Sequence, residues 1–131
     1  MEDFVLEATK FTPEIRLGLD GDFSFTGDCF PSSRRNFFVP VYDWVEEFLH
    51  KQNPEKIHVR FDLIFLDTAS VQSFLRLLQI LDDYREEKES EIEITVEWLY
   101  EEDDLDMLGL GENYQEDVKL PIELVQIPIR E

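Results

Sequence analysis

Residues 61–81 read FDLIFLDTASVQSFLRLLQIL, and this stretch decides the fold of the chain. The apolar run at residues 61–66 is typical of a buried strand, and it ends at the small polar residues 67–70. Apolar residues then recur at helical spacing, at positions 74, 75, 77, 78 and 81. The stretch therefore predicts a strand that leads directly into a helix.

The junction between this strand and this helix carries a threonine, Thr68, that has two interpretations. A helix N-terminus offers unpaired N–H groups and the positive end of the helix dipole, so a hydroxyl there could carry a phosphate that a partner protein reads. The plainer interpretation is a helix cap, because Asp, Thr and Ser are favoured at any helix start. The spacing alone leaves both open.

Composition narrows the classes of partner. The 131 residues are expected to form a single domain, 1–131, with a substantial core, since 43% are hydrophobic and 11 are phenylalanine. The formal net charge of −19 repels nucleic acid and anionic membranes, so we expect neither as a partner. Residues 82–117 are densely acidic, with only Arg85 and Lys88 as cations, and such a region speeds encounter with a basic protein surface.

The compartment is predicted from cysteine usage and from the N-terminus. One cysteine, Cys29, allows no internal disulfide and fits a reducing compartment. The start MEDFVLEATK lacks the features of a signal peptide, and no apolar run has the length of a membrane span. We therefore expect a cytoplasmic protein.

The rest of the chain alternates between strand and helix patterns. Residues 14–19 and 23–26 alternate around the turn signal Asp20-Gly21, which predicts a hairpin, and residues 4–6 are expected to form a preceding strand. Residues 27–33 are expected to be a loop. Residues 33–51 predict a helix in which Pro40 either makes a kink or marks the true first turn.

The second half predicts a parallel crossover unit. A central strand over residues 57–66, with Phe61, Leu63 and Phe65 buried, is followed by a helix to about residue 88 and a strand over residues 92–98. Residues 100–117 predict an acidic loop or short helix. Residues 118–129 predict a last strand, in which Pro121 and Pro128 indicate an edge position or irregular ends. The expected fold class is α/β, a mixed central sheet of about five or six strands with at least two helices packed on it.

No catalytic constellation is visible in the sequence. The two histidines, His50 and His58, are interpreted as surface residues, and Cys29 has no histidine close to it in sequence. No phosphate-binding loop is present, and we expect no cofactor and no catalytic residue. We interpret the acidic cluster at residues 101–106 as a solvated loop and not as a metal site, because its spacing does not match a calcium loop. The contrasting enzyme hypothesis is a divalent metal held by this cluster.

Arg34 and Arg35 form a positive pair in an otherwise acidic chain. Such a pair can face a phosphate or an acidic patch on a partner. Two solvent-exposed arginines at a helix start are the plainer interpretation.

Short motifs along most of the chain resemble the SiaC-type regulatory phosphoproteins of bacteria, small proteins whose fold is similar to that of anti-sigma factor antagonists, the STAS fold. The matching motifs keep their order and spacing, and they are Thr9-x-x-Thr12-Pro13, Gly27 to Pro31, Phe37-Phe38-x-Pro40 with Trp44, Phe61-x-Leu63, Thr68 with Ser70, Trp98-x-Tyr100, Asp103-Asp104-x-Asp106-Met107 and Gly111-Glu112.

The resemblance implies a function. In that family the threonine at the strand–helix junction is phosphorylated, and this position is Thr68. A dedicated kinase and a phosphatase are the implied partners, and the unmodified form binds and activates a diguanylate cyclase. The implied partner-binding residues are Asp67, Ala69, Ser70 and Gln72, to which we add the pair Arg34 and Arg35.

The junction also departs from the family pattern. Asp67 and Ala69 replace the usual Asn and Ser, Pro31-Ser32-Ser33 replaces Pro-Glu-Asn, and Gln72 replaces a lysine. The segment Asp67-Thr68-Ala69-Ser70 is also similar to the Asp-Ser-Ser-Gly of anti-sigma factor antagonists, whose first hydroxyl is phosphorylated. That second resemblance implies a regulator that acts on a kinase or anti-sigma partner. Both resemblances converge on Thr68.

Overall fold

The computed structural model describes residues 1–89 and 91–130, and it contains one six-stranded mixed sheet. The strands are β1 (Phe4–Leu6), β2 (Glu14–Leu17), β3 (Asp22–Cys29), β4 (Lys56–Leu66), β5 (Glu93–Glu101) and β6 (Ile122–Ile127). Their order in the sheet is the order in the chain. The first two pairings are antiparallel, and the pairings β3–β4, β4–β5 and β5–β6 are parallel. The expected α/β class with a mixed sheet is confirmed.

Each parallel connection contains one helix. These are α1 (Arg34–Gln52), α2 (Thr68–Glu87) and α3 (Leu105–Asp117). Helix α1 ends where Asn53 adopts a left-handed conformation, with φ of 44°. Because β3 and β4 run in the same direction, α1 and α2 both begin at the carboxyl edge of the sheet. No helix in the described part of the chain is long and apolar enough to cross a membrane.

The helices cover one face of the sheet, and the strand sequences alternate accordingly. On β4 the side chains of Ile57, Val59 and Phe61 are buried, whereas His58 between the first two is half-buried and Arg60 is exposed. This period of two is what a half-covered sheet requires. The expectation that β4 is central is confirmed, since it lies between β3 and β5, and the three helices of residues 1–89 and 91–130 lie on one face of the sheet.

Aromatic rings form the centre of the core. Phe61 stacks on Phe25 of β3 with ring centroids 5.1 Å apart, and it meets the edge of Phe74 of α2 at 5.3 Å. It also contacts Trp98 of β5 at 5.3 Å. Trp98 in turn packs against Tyr114 of α3 at 5.2 Å. One residue of β4 thus joins both neighbouring strands to α2, and it reaches α3 through Trp98.

The prediction that Phe65 is buried is wrong, because its side chain is 51% exposed. The register between β3 and β4 shifts at this point: Gly27 pairs with Leu63, but Asp28 pairs with Phe65, so Ile64 is an extra residue. Such a bulge reverses the alternation of side chains beyond it. Gly27 has φ of 120° at the shift, a conformation that favours glycine.

The other boundaries agree with expectation only in part. Strand β3 continues to Cys29, into residues expected to be loop. The helix expected over residues 33–51 is confirmed as α1, and Pro40 does not mark its first turn, because it lies six residues after Arg34. Residues 105–117, part of the segment expected to be a loop or short helix, form α3 with 13 residues. The edge position of β6 is confirmed, and Pro121 and Pro128 flank it.

The two phenylalanines of β4 provide a matched stability test. Replacing buried Phe61 with alanine should lower the free energy of unfolding by about 3–5 kcal/mol, because it removes a ring packed on three others. Phe65→Ala should cost less than about 1.5 kcal/mol, because half of its surface already faces water. Urea unfolding followed by circular dichroism measures both, and equal losses would contradict the bulge.

Candidate functional site

Thr68 is the first residue of α2, and its side chain is exposed at the carboxyl edge of the sheet. The backbone just before it is fixed to the neighbouring strand, since the Asp67 N–H donates to the carbonyl oxygen of Cys29 at 3.2 Å. The Asp67 carbonyl then accepts the first helical hydrogen bond, from the N–H of Val71 at 3.1 Å. The hydroxyl is therefore presented from a rigid position.

Asp67 is the cap of α2. Its backbone is extended, with φ of −80° and ψ of 167°, and its carboxylate accepts a hydrogen bond from the N–H of Ser70 at 2.8 Å. A helix leaves its first N–H groups without intrahelical partners, and this bond satisfies one of them. Because Asp67 fills the capping role, the Thr68 hydroxyl lies outside the capping bond.

The prediction that Ser70 belongs to a partner-binding surface is wrong. Its side chain is fully buried, and the Cys29 thiol donates to its hydroxyl oxygen at 3.4 Å. Ser70 supports the helix start from inside the core. Burial also raises the pKa of Cys29 to about 11, so this thiol is protonated at neutral pH and is a poor nucleophile.

Three other predicted residues lie together in one groove. Arg34 and Arg35 in the first turn of α1 face Gln72 of α2 across an open cavity of about 370 Å³. We call this the arginine groove, and its lining is completed by Phe38, Val39, Tyr42, Ser73 and Arg76. Gln72 follows Thr68 by four residues, so both lie on the same face of α2. The groove therefore begins one helical turn from Thr68.

A second groove lies on the other side of α2 and includes Thr68 itself. It has a volume of about 430 Å³, and we call it the leucine groove. Its lining consists of Leu66, Thr68, Val71, Leu105, Asp106, Gly109, Leu110 and Asn113. Leu105, the first residue of α3, is 74% exposed. An exposed leucine beside an apolar groove is typical of a protein-binding surface.

Helix α3 is held against the sheet by specific contacts. The Trp98 indole N–H donates to the Met107 carbonyl at 2.9 Å, and the Tyr114 hydroxyl donates to the Val71 carbonyl at 2.7 Å. Burial raises the pKa of Tyr114, which keeps it a donor. Gly111 lies so close to Trp98 that an added Cβ would be 2.5 Å from the indole. One wall of the leucine groove is thus fixed by residues from three of the motifs noted in the sequence, namely Trp98, Met107 and Gly111.

An exposed aromatic cluster lies at the same edge of the sheet. Phe11 meets the edge of Phe30 with centroids 5.3 Å apart, and Phe30 meets the edge of Phe65 at 5.5 Å. The loop that carries Phe11 is held by Thr9, whose hydroxyl oxygen accepts hydrogen bonds from the N–H groups of Phe11 and Thr12. Phe11 and Phe65 are each 51% exposed.

The structure does not assemble the acidic cluster into a metal centre. Within residues 1–89 and 91–130, no group of three or more His, Cys, Asp or Glu side chains is arranged to hold a metal ion. Asp104 instead caps α3 by accepting from the N–H of Met107 at 3.0 Å. His58 contacts Glu97 at 2.7 Å and Thr95 at 2.9 Å, and His50 contacts the backbone carbonyl of Glu46.

Sequence reasoning missed Arg76, Leu105 and Phe11. Arg76 follows Gln72 by four residues, so helical spacing from Thr68 carried the signal that would have found it. Leu105 lies in a segment expected to be an acidic loop or short helix. It becomes part of an apolar groove because the residues after it form α3. Phe11 had no such signal, because its exposure depends on a turn built by two threonines.

Comparisons with known proteins identify one family through a family model and through solved structures. The family model described as SiaC family regulatory phosphoprotein matches residues 6–127. An uncharacterised protein of Pseudomonas aeruginosa strain UCBPP-PA14 is 29% identical over 126 residues, which cover 95% of this chain and 96% of that protein.

Solved structures give the same result. The crystal structure of apo-SiaC from Pseudomonas aeruginosa has a TM-score of 0.84 at 26% identity, over 95% of this chain and 99% of that one. A chain in the crystal structure of the diguanylate cyclase SiaD in complex with its activator SiaC, from the same organism, has a TM-score of 0.87. Its identity is 25%, over 95% of this chain and all of that chain.

Two glycines of α3 test how the wall of the leucine groove is held. Gly111→Ala should lower the free energy of unfolding by about 1–3 kcal/mol, because the new methyl group would meet Trp98 and Leu124. Gly109→Ala is the matched control: a Cβ there meets nothing within 4 Å, and alanine should stabilise the helix by about 0.5–1 kcal/mol. Urea unfolding measures both, and stabilisation by both substitutions would show that α3 packs differently.

Proposed function

The chain belongs to the SiaC family of regulatory phosphoproteins, and on this premise we propose that it is a phospho-regulated binding protein whose unmodified form binds and activates a diguanylate cyclase. Its role is to bind a partner and not to catalyse a reaction. The observation that carries the proposal is the position of Thr68, which is exposed at the capped start of α2 between two grooves.

Phosphorylation of Thr68 changes the surface more than it changes the fold. A phosphate adds a charge of about −1.5 to −2 beside Asp67. The N-terminus of α2 offsets part of this repulsion by roughly 0.3–1 kcal/mol. Because Thr68 makes no capping bond, the modification leaves the hydrogen bond between Asp67 and Ser70 in place. The folded state therefore tolerates the modification.

Binding responds differently from folding. The leucine groove offers apolar contact to the cyclase, and Thr68 lies in its lining. A partner that packs over this groove has to remove water from the Thr68 side chain, which ends in either a hydroxyl or a phosphate. Burying a phosphate without a cationic partner is costly, whereas a hydroxyl is buried at much lower cost. Phosphorylation thus separates the binding form from the non-binding form.

A kinase and a phosphatase acting on Thr68 complete the cycle, and we place this exchange in the cytoplasm, where ATP supplies the phosphate. The exposed hydroxyl is accessible to a kinase without unfolding of α2. Asp67, Ala69 and Gln72 surround the hydroxyl and set which kinase and which cyclase fit it. The match of the SiaC family model over most of the chain favours this function over that of an anti-sigma factor antagonist.

The test uses three variants against the cognate cyclase in isothermal titration calorimetry. Thr68→Ala should keep cyclase binding and lose its response to the kinase. Thr68→Asp should bind at least about tenfold more weakly, or about 1.4 kcal/mol, because the carboxylate has to be desolvated. Gln79→Glu, which adds one negative charge at an exposed position farther along α2, should bind normally. Circular dichroism confirms that each variant is folded.

Two results would contradict the proposal. Equal cyclase affinity of the phosphorylated and the unmodified protein would show that Thr68 is an ordinary surface residue and not a switch. Equal weakening by Thr68→Asp and Gln79→Glu would show a general effect of charge and not a switch at Thr68.

A further inference from the structure

The arginine groove concentrates positive charge in a chain whose net charge is −19. Arg34, Arg35 and Arg76 line it from two helices, and all three are exposed. None of the salt bridges among residues 1–89 and 91–130 involves any of the three. Their guanidinium groups are therefore available to pair with carboxylates from outside the chain.

The floor of this groove is apolar. Phe38 is buried beneath it, and Val39 is 40% exposed. The Tyr42 hydroxyl donates to the Ser73 carbonyl at 2.7 Å, so the ring faces the groove while its polar atom is already occupied. An occupant therefore meets apolar surface between guanidinium groups. A small anion would use the charges and leave this floor uncovered.

Charge at the start of α1 favours the same class of occupant. The first turn of α1 contains no acidic residue, and Ser33 makes no capping hydrogen bond through its side chain. Two arginines at the positive end of a helix are unfavourable when nothing neutralises them. Carboxylates bound in the groove would remove this penalty.

We propose that the arginine groove docks an acidic amphipathic segment of a partner protein, with glutamates or aspartates on the arginines and an apolar side chain against Val39 and the ring of Tyr42. An open cavity of about 370 Å³ fits a few side chains of a segment lying along α1 and α2. The rest of the acidic surface repels such a segment, so charge complementarity directs it to this groove.

This inference rests on the proposed function, since it names the kind of segment that a regulated partner presents. It also adds a second effect of phosphorylation. Thr68 lies about 6 Å along the helix axis from Gln72, which lines the groove. A phosphate on Thr68 therefore adds negative potential at that end of the groove and weakens the hold on acidic side chains.

The experiment measures peptide binding by fluorescence anisotropy on the full chain. The probe is a fluorescein-labelled peptide in which leucines one helical turn apart are flanked by glutamates. Replacing Arg34, Arg35 and Arg76 together with glutamine should weaken its binding at least about tenfold. The control replaces Arg16, Arg60 and Arg85 with glutamine, which changes the net charge equally away from the groove, and it should bind within about twofold of the unmodified chain.

A second variant and two further peptides sharpen the result. Val39→Glu places a carboxylate on the groove floor and should weaken binding at least as much as the three arginine changes. The probe with every glutamate changed to glutamine should bind weakly, and so should the probe with every leucine changed to serine. Equal effects of the two arginine triples would overturn the proposal, as would undiminished binding of either altered peptide.

The cyclase assay on the same variants separates the two claims. If the probe fails to bind but Thr68→Asp still weakens cyclase binding, the groove proposal is overturned and the proposed function stands. If the probe binds as expected but Thr68→Asp leaves the cyclase affinity unchanged, the proposed function fails and the groove proposal stands.

Discussion

The contact of Phe61 with rings on three other elements is the constraint on which the site depends. Phe61 joins Phe25, Phe74 and Trp98, and so fixes α2 against the parallel strands on either side of β4. Once the middle of α2 is fixed, its first residue can lie only at the carboxyl edge of the sheet. The exposed hydroxyl of Thr68 is thus a geometric consequence of buried aromatic packing about two turns farther along the helix.

The sequence predicted those parts of the fold in which each residue's environment follows from local pattern. Alternation over residues 57–63 and helical spacing over residues 74–81 identified β4, α2 and the junction between them. The pattern misled at Phe65, because a single extra residue reversed the alternation, and a register shift is a property of two strands together. Burial of Ser70 was hidden for a similar reason, since it depends on Cys29, which is 41 residues earlier.

The candidate site could be predicted where charge or hydroxyl chemistry marked a residue, and at Gln72 where the family resemblance implied one. Thr68, Arg34 and Arg35 were identified in this way, and the structure places the two arginines in one groove with Gln72. The apolar wall made by α3 could not be predicted, because its residues lie in an acidic segment without strong periodicity. Trp98 packs against Gly111 and holds α3 on the sheet, and α3 thereby forms one wall of the leucine groove.

The order of the strands has a consequence for how the molecule forms during synthesis. Each strand pairs with the one made just before it, so no strand has to be inserted between two that already exist. The sheet can grow outward from the hairpin as the chain emerges, with each helix folding onto a surface that is already present. One contact runs against this order: Arg130 reaches back to Asp62 on β4. That ion pair can form only after all six strands and residue 130 have been made, so it joins the segment after β6 to the middle of the sheet at a late stage.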